Sequence, residues 1–178
     1  MAKHEFSDAD MVAAHRRWTL PQHERQGSFH GPRHWTKVLN NALWLREKEC
    51  LPESYDHILY LAALFHDSKR VNEGNDPGHG GRAAVSLLGC RSVCAETIMA
   101  AQCCAFHTEV VPWLPMTSDL SDEARTLVQL FADADRLDIG RLGRVIDTRF
   151  LFTDSAIELV ELCRYQQDGK AYQGGRPE

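Results

Sequence analysis

The sequence predicts an all-α fold, a single compact bundle of about six or seven helices. Three observations lead there. No stretch sustains the alternation of apolar and polar residues that a half-buried strand requires. Apolar residues recur instead at three- and four-residue spacing in one segment after another, the repeat of a helix face. Between these segments stand breaks such as LPQHERQGS, NEGNDPGHGG and VVPWLPMTSDLS, whose prolines and glycines interrupt helices.

The elements follow in order. From Ser7 to Trp18 an N-cap serine, two early aspartates and spaced apolar residues (Met11, Val12, His15, Trp18) predict a short helix. The second helix starts near Pro32, since proline suits the first helical position, and buries Trp35, Val38, Leu39, Ala42, Leu43 and Leu45. Pro52 and Ser54 open a third, whose stretch ILYLAALF is apolar on every side, as a central buried helix should be. RAAVSLLG reads as a fourth helix and SVCAETIMAAQCCAF as a fifth, ending near His107. VVPWLPMTSDLS is a loop, with Trp113 either a lid residue or a packed surface tryptophan. Ser121, followed by two acids, caps a sixth helix that reaches about Leu137, and a seventh spans about Ser155 to Gln167.

A chain of 178 residues suits one domain, here residues 1–167 with a core over about 30–140, and a loose tail at 168–178. The formal net charge of -5 gives no general attraction to phosphate backbones, so long nucleic acids are not favoured partners. No apolar run approaches the roughly 20 residues that cross a bilayer, and the polar, acidic start MAKHEFSDAD is unlike a signal, so a cytoplasmic location is expected. Six cysteines in a chain with a good core read as reduced thiols, the four between Cys90 and Cys104 as buried helical ones. The group Cys90, Cys94, Cys103 and Cys104 lacks the paired two-residue spacing of a zinc site, which remains the minor reading. Oligomeric state is not legible.

The chemistry gathers at three places. His66 follows an almost wholly apolar helix and is joined to Asp67, so an imidazole and a carboxylate emerge together from the core. A buried carboxylate must be paired or bind a cation. In FADADRLD, with Leu127, Leu130, Phe131, Ala134 and Leu137 as one face, Asp135 lies about 80° round from Leu127 and Asp133 about 120° the other way. Asp135 is thus read as near-buried and Asp133 as a solvated edge, while Asp138, at the helix end, lies near the face centre or caps the next turn. His34 and His30 flank Gly31-Pro32, which separates them structurally: His34 reads as a ligand in the first turn, His30 as a supporting residue.

In this order, His34, the adjacent His66-Asp67 and Asp135 resemble the His…His-Asp…Asp signature of the HD-domain superfamily, all-α metal-dependent phosphohydrolases. The likeness runs through HGPRHW, LAALFHD, DPGHGGRAA and ADADRLD. It implies His34, His66, Asp67 and Asp135 as metal ligands. His79 and His107 resemble the extra ligands of two-metal members; their alternatives are a surface-loop histidine and a helix C-terminal cation. One or two divalent ions (Mn, Fe, Co, Ni, Zn or Mg) would be bound, with Asp67 bridging if there are two. The implied reaction is attack of metal-bound hydroxide on a small phosphorylated metabolite, such as a nucleotide. Of the neighbouring cations Arg33, Lys69, Arg70 and Arg136, Lys69 is the one taken as a phosphate contact. Related nucleotidases carry an acid three or four residues after His-Asp; Arg70 and Val71 stand there, and the proton donor is unassigned. Two alternatives have the same ligand order: an HD-type di-iron oxygenase and a non-catalytic metal-binding regulatory domain.

Overall fold

The computed structural model describes residues 7–17, 29–108, 119–142 and 144–167. Within them the chain is all-helical, with seven α-helices, short 3-10 turns and no strand. The predicted loop around Trp113, Trp18 and the tail lie outside the described residues.

Helix α1 (Asp8–Arg17) opens on Ser7, whose hydroxyl accepts the Asp10 N–H at 3.3 Å while the Asp10 carboxylate accepts the Ser7 N–H at 2.9 Å. Helix α2 (Pro32–Lys48) begins at its proline and buries Trp35, Val38, Leu39, Ala42 and Leu45. It ends with two reversed hydrogen bonds, Leu51 N–H to Arg46 O at 2.9 Å and Cys50 N–H to Glu47 O at 3.1 Å. Cys50 therefore sits at φ 54°, the left-handed position that glycine usually fills. After a 3-10 turn (Glu53–Tyr55), α3 (Asp56–Phe65) buries Ile58, Leu59 and the run 61–65. As its composition demands, α3 is the central helix, packed on α2 and on α5 (Ala95–Phe106).

Helix α4 (His79–Cys90) starts three residues before the RAAVSLLG prediction. The Gly-rich stretch preceding it is not all loop: Gly80 is buried where α4 runs against α5, and its missing side chain permits that approach. Helix α6 (Asp122–Arg136) is capped by the Ser121 hydroxyl, which accepts the Ala124 N–H at 3.2 Å, and packs on α2 and α5. Helix α7 (Asp154–Gln167) lies against α2.

Two expectations are corrected. Asp133 is not a solvated edge but fully buried. Its carboxylate accepts the Phe152 N–H at 3.0 Å and the Thr153 N–H at 2.7 Å, with the Thr153 hydroxyl at 2.8 Å, and so ties the start of α7 to α6. Burial pushes its carboxyl up to about 6, against the downward pull of those donors. Nor are the cysteines uniformly buried: Cys103 and Cys104 are, on α5, whereas Cys90 and Cys94 are exposed, and all six are free thiols. The exposed pair stands at the end of α4 and the cap of α5, outside the packed faces of both. Among the described residues, no helix is long and apolar enough to cross a membrane.

Candidate metal centre

The buried histidines and aspartates stand at helix ends, which the packing of α2 to α6 brings to one place. His34 is in the first turn of α2, His66 caps the end of α3, His79 begins α4, His107 caps the end of α5 and Asp135 lies in the last turn of α6. Asp67 follows His66 directly, in a turn where Ser68 N–H bonds Phe65 O and Arg70 N–H bonds Asp67 O.

The ring orientations are set from behind. His66 Nδ1 donates to Ala63 O at 2.9 Å, His107 Nδ1 to Cys104 O at 2.7 Å, and His79 Nδ1 to Asp76 O. A carbonyl only accepts, so each of these Nδ1 atoms carries a hydrogen, and Nε2 is the ring nitrogen left to face the centre. His34 Nδ1 is held by the Asp138 carboxylate at 2.7 Å. All four Nε2 atoms then face inward, in two pairs: His34 and His66 at 3.1 Å, His79 and His107 at 3.0 Å.

Asp67 lies between the pairs and divides its oxygens. Oδ2 is 3.3 Å from His34 Nε2 and 3.6 Å from His66 Nε2; Oδ1 is 3.0 Å from His79 Nε2 and 3.9 Å from His107 Nε2. Asp135 Oδ1 completes the first pair at 3.2 Å from His34 and 3.9 Å from His66. His30 Nδ1 bonds Asp67 Oδ2 at 2.6 Å. Three overlapping groups could each hold a metal ion: His34, His66 and Asp135; Asp67, His79 and His107; and His30, His34 and Asp67.

The electrostatics fit a cation trap. Burial alone would lower the His34 pKa, but hydrogen bonds to Asp135, Asp138 and Asp67 outweigh it and push His34 up to about 10. Its proton holds together nitrogen and oxygen atoms that would otherwise repel. Burial drives His66 down to about 3, with repulsion from His34 and His107 added. His107 is likewise lowered by burial, so it is a neutral ring and not the helix C-terminal cation that was one of its two readings. Burial would raise both Asp67 and Asp135, yet the surrounding imidazoles hold both well below the usual carboxylate range.

No protein-family model, curated protein or solved structure gives a significant match to this chain. The geometry brings together all six of His34, His66, Asp67, His79, His107 and Asp135, with His30 against Asp67. His79 is buried in the first turn of α4, not a surface-loop residue.

Two neighbours add to the residues the sequence proposed. The Lys69 carbonyl accepts from Arg82 Nη2 at 3.1 Å, and the guanidinium of Arg70, a cation the sequence reading left aside, reaches the centre, 3.4 Å from Asp67 Oδ1. Asp138, read as near the centre of the buried face or as a cap of the next turn, holds His34 Nδ1. Arg136 is structural, donating to Phe150 O at 3.0 Å and lying over the Phe152 ring. Asp135, His30 and Arg70 keep 24%, 14% and 9% of their side chains exposed, whereas the four inward histidines and Asp67 keep 3% or less. Of these residues, those three are the ones that touch solvent.

Proposed function

We propose that this chain is a metal-dependent phosphohydrolase of the HD-domain type, acting on a small phosphorylated metabolite, with nucleotides the first class to test. The observation that carries the reading is the divided carboxylate of Asp67, one oxygen turned to each of two imidazole pairs. His34, His66, Asp67 and Asp135 would hold one divalent ion, and Asp67, His79 and His107 a second. When bound, such ions supply an acidified water molecule at neutral pH and polarise a phosphoryl oxygen.

The chain's own groups do the rest. Asp138 and the carbonyls of residues 63, 76 and 104 fix the imidazoles, so that little reorganisation accompanies the reaction. His30 orients the shared carboxylate through its Nδ1, and it is one of the side chains solvent reaches. Arg70 provides a fixed positive charge where a phosphoryl group would arrive. The burial of the histidines excludes water from the remaining faces of the centre.

The test is phosphate release by the purified protein, loaded in turn with Mn, Co, Ni or Mg, from a panel of nucleotides and sugar phosphates. Turnover in the wild type, reduced at least about a hundredfold in D67N and D135N, supports the reading. The same six ligands suit two irons. Oxygen uptake by the iron-loaded protein, without phosphate release by any loaded form, would replace the hydrolase with the oxygenase reading. Metal binding with neither activity would leave a regulatory domain.

A further inference from the structure

The two halves of the centre are electrostatically unequal, and Arg70 makes them so. The His34/His66 half contains Asp135 Oδ1 and Asp67 Oδ2, with the Asp138 carboxylate behind His34. The His79/His107 half has one carboxylate oxygen, Asp67 Oδ1, and only neutral carbonyls behind its rings. Beside that poorer half stands a guanidinium.

Arg70 Nη1 is 3.3 Å from His79 Nδ1 and 3.2 Å from its Nε2. A donor in the ring plane approaches one nitrogen and not both, and Nδ1 is already spent on Asp76 O. The guanidinium therefore lies over the face of the imidazole, beside Nε2 and out of the ring plane in which a ligand would approach it. It leaves the ligand atoms available and places a permanent positive charge next to them.

This position is built. Arg70 Nη2 donates to Gly74 O at 2.6 Å and Nε to Asn72 O at 3.4 Å, so the loop after Asp67 grips its own arginine. That loop is pinned in turn by Asp76, which accepts the Val71 N–H at 2.9 Å and Arg82 Nη2 at 2.6 Å, while Arg82 also donates to Lys69 O. An arginine that merely coated the surface would have no such cradle.

We propose that Arg70 makes occupancy of the His79/His107 half conditional on an oxyanion. This rests on the metal reading of the centre. Alone, the guanidinium repels a second dication that a single carboxylate oxygen only partly compensates. An oxyanion seated between them accepts hydrogen bonds from Arg70 and coordinates the ion, turning repulsion into a three-body attraction. Coupling of this kind is reciprocal: phosphate tightens the second ion by the factor by which the second ion tightens phosphate. The protein would hold one ion at rest and two with a phosphorylated ligand present.

The experiment is a Mn2+ titration of the full chain, with free Mn2+ read by electron paramagnetic resonance, in the presence and absence of inorganic phosphate. For the wild type we expect one tight and one weak ion, the weak one tightened about tenfold or more by phosphate. In R70M the second ion should tighten without phosphate, and the phosphate effect should fall below about threefold. R70K, which keeps the charge but not the fork, should retain a weak second ion. Two equal sites in the wild type, or a phosphate effect unchanged in R70M, would overturn the coupling while leaving the metal centre intact. Absence of saturable Mn2+ binding by the wild type would overturn the centre itself.

Discussion

Replacing Gly80 with alanine tests the contact on which the second half of the centre depends. A Cβ added there would collide with the carbonyl oxygen of Cys104, 3.2 Å from the oxygen of Ala105 and 3.4 Å from Cε1 of His107. The obstacle is backbone, so it cannot swing aside as a side-chain tip would. In an open helical position the exchange would gain up to about 1 kcal/mol from helix propensity. Here α4 and α5 must separate, and overpacking of that kind costs about 1–3 kcal/mol. With the full gain set against that cost, the net loss should be up to about 2 kcal/mol. Cys104 O is also the acceptor that aims His107, at 2.7 Å, so the shift should weaken metal binding about tenfold or more. Gly81 supplies the control, because an added Cβ there meets nothing within 4 Å. Urea unfolding of the metal-free proteins should therefore rank G81A at or above the wild type and G80A below it. If G80A proves as stable as G81A, the close approach of α4 to α5 at Gly80 is wrong.

The remaining expectations concern other parts of the same frame. C50G should raise the urea midpoint, gaining up to about 1 kcal/mol, because it removes a Cβ from a left-handed residue. D133A should lower stability by about 3 kcal/mol and speed amide exchange at the start of α7, since it strips the acceptor from the Phe152 and Thr153 N–H groups. D138N should leave folding intact but reduce metal affinity about 10–100-fold by calorimetry, because the group behind His34 loses its charge. For pH, His34 has a folded value of about 10 against an ordinary 6.5. The stability it contributes to the metal-free protein is therefore full below about 6.5 and lost as pH rises toward 10. Thermal midpoints should show an alkaline decline that is absent from H34A. A metal must displace that proton, so apparent affinity should climb about tenfold per pH unit below 10; a pH-independent affinity would refute the protonation of His34.

Most of the frame was legible because one signal dominated it. The helix ILYLAALF had no polar face, so the residues emerging from it, His66 and Asp67, had to stand inside the molecule. The same wheel that placed Asp135 near the buried face misjudged Asp133. Its angle was sound, but a single helix does not report what covers its other side, and residues 152–153 return to do so. His79 was ambiguous because glycines in sequence look alike whether they permit a turn or a close helix contact. Arg70 was passed over for a similar reason. That its guanidinium reaches Asp67 depends on the turn from Asp67 to Arg70 and on carbonyls at residues 72 and 74, and spacing alone encodes neither.

The centre also explains a local conflict in an otherwise consistent fold. Three imidazoles borrow backbone carbonyls that close turns or end helices, and all of them turn Nε2 toward a region where Asp67 and Asp135 are already ionised. A core assembled for stability alone would fill that region with apolar side chains, as α3 does along the rest of its length. In the metal-free protein, the proton on His34 and the guanidinium of Arg70 offset part of the negative charge, and neither can satisfy both imidazole pairs at once. Divalent cations, one at each pair, could, and they would lower the free energy of the folded state more than that of the unfolded chain, where the six residues are scattered. The arrangement that makes these groups costly to bury without an ion is thus the arrangement that a bound cation would stabilise.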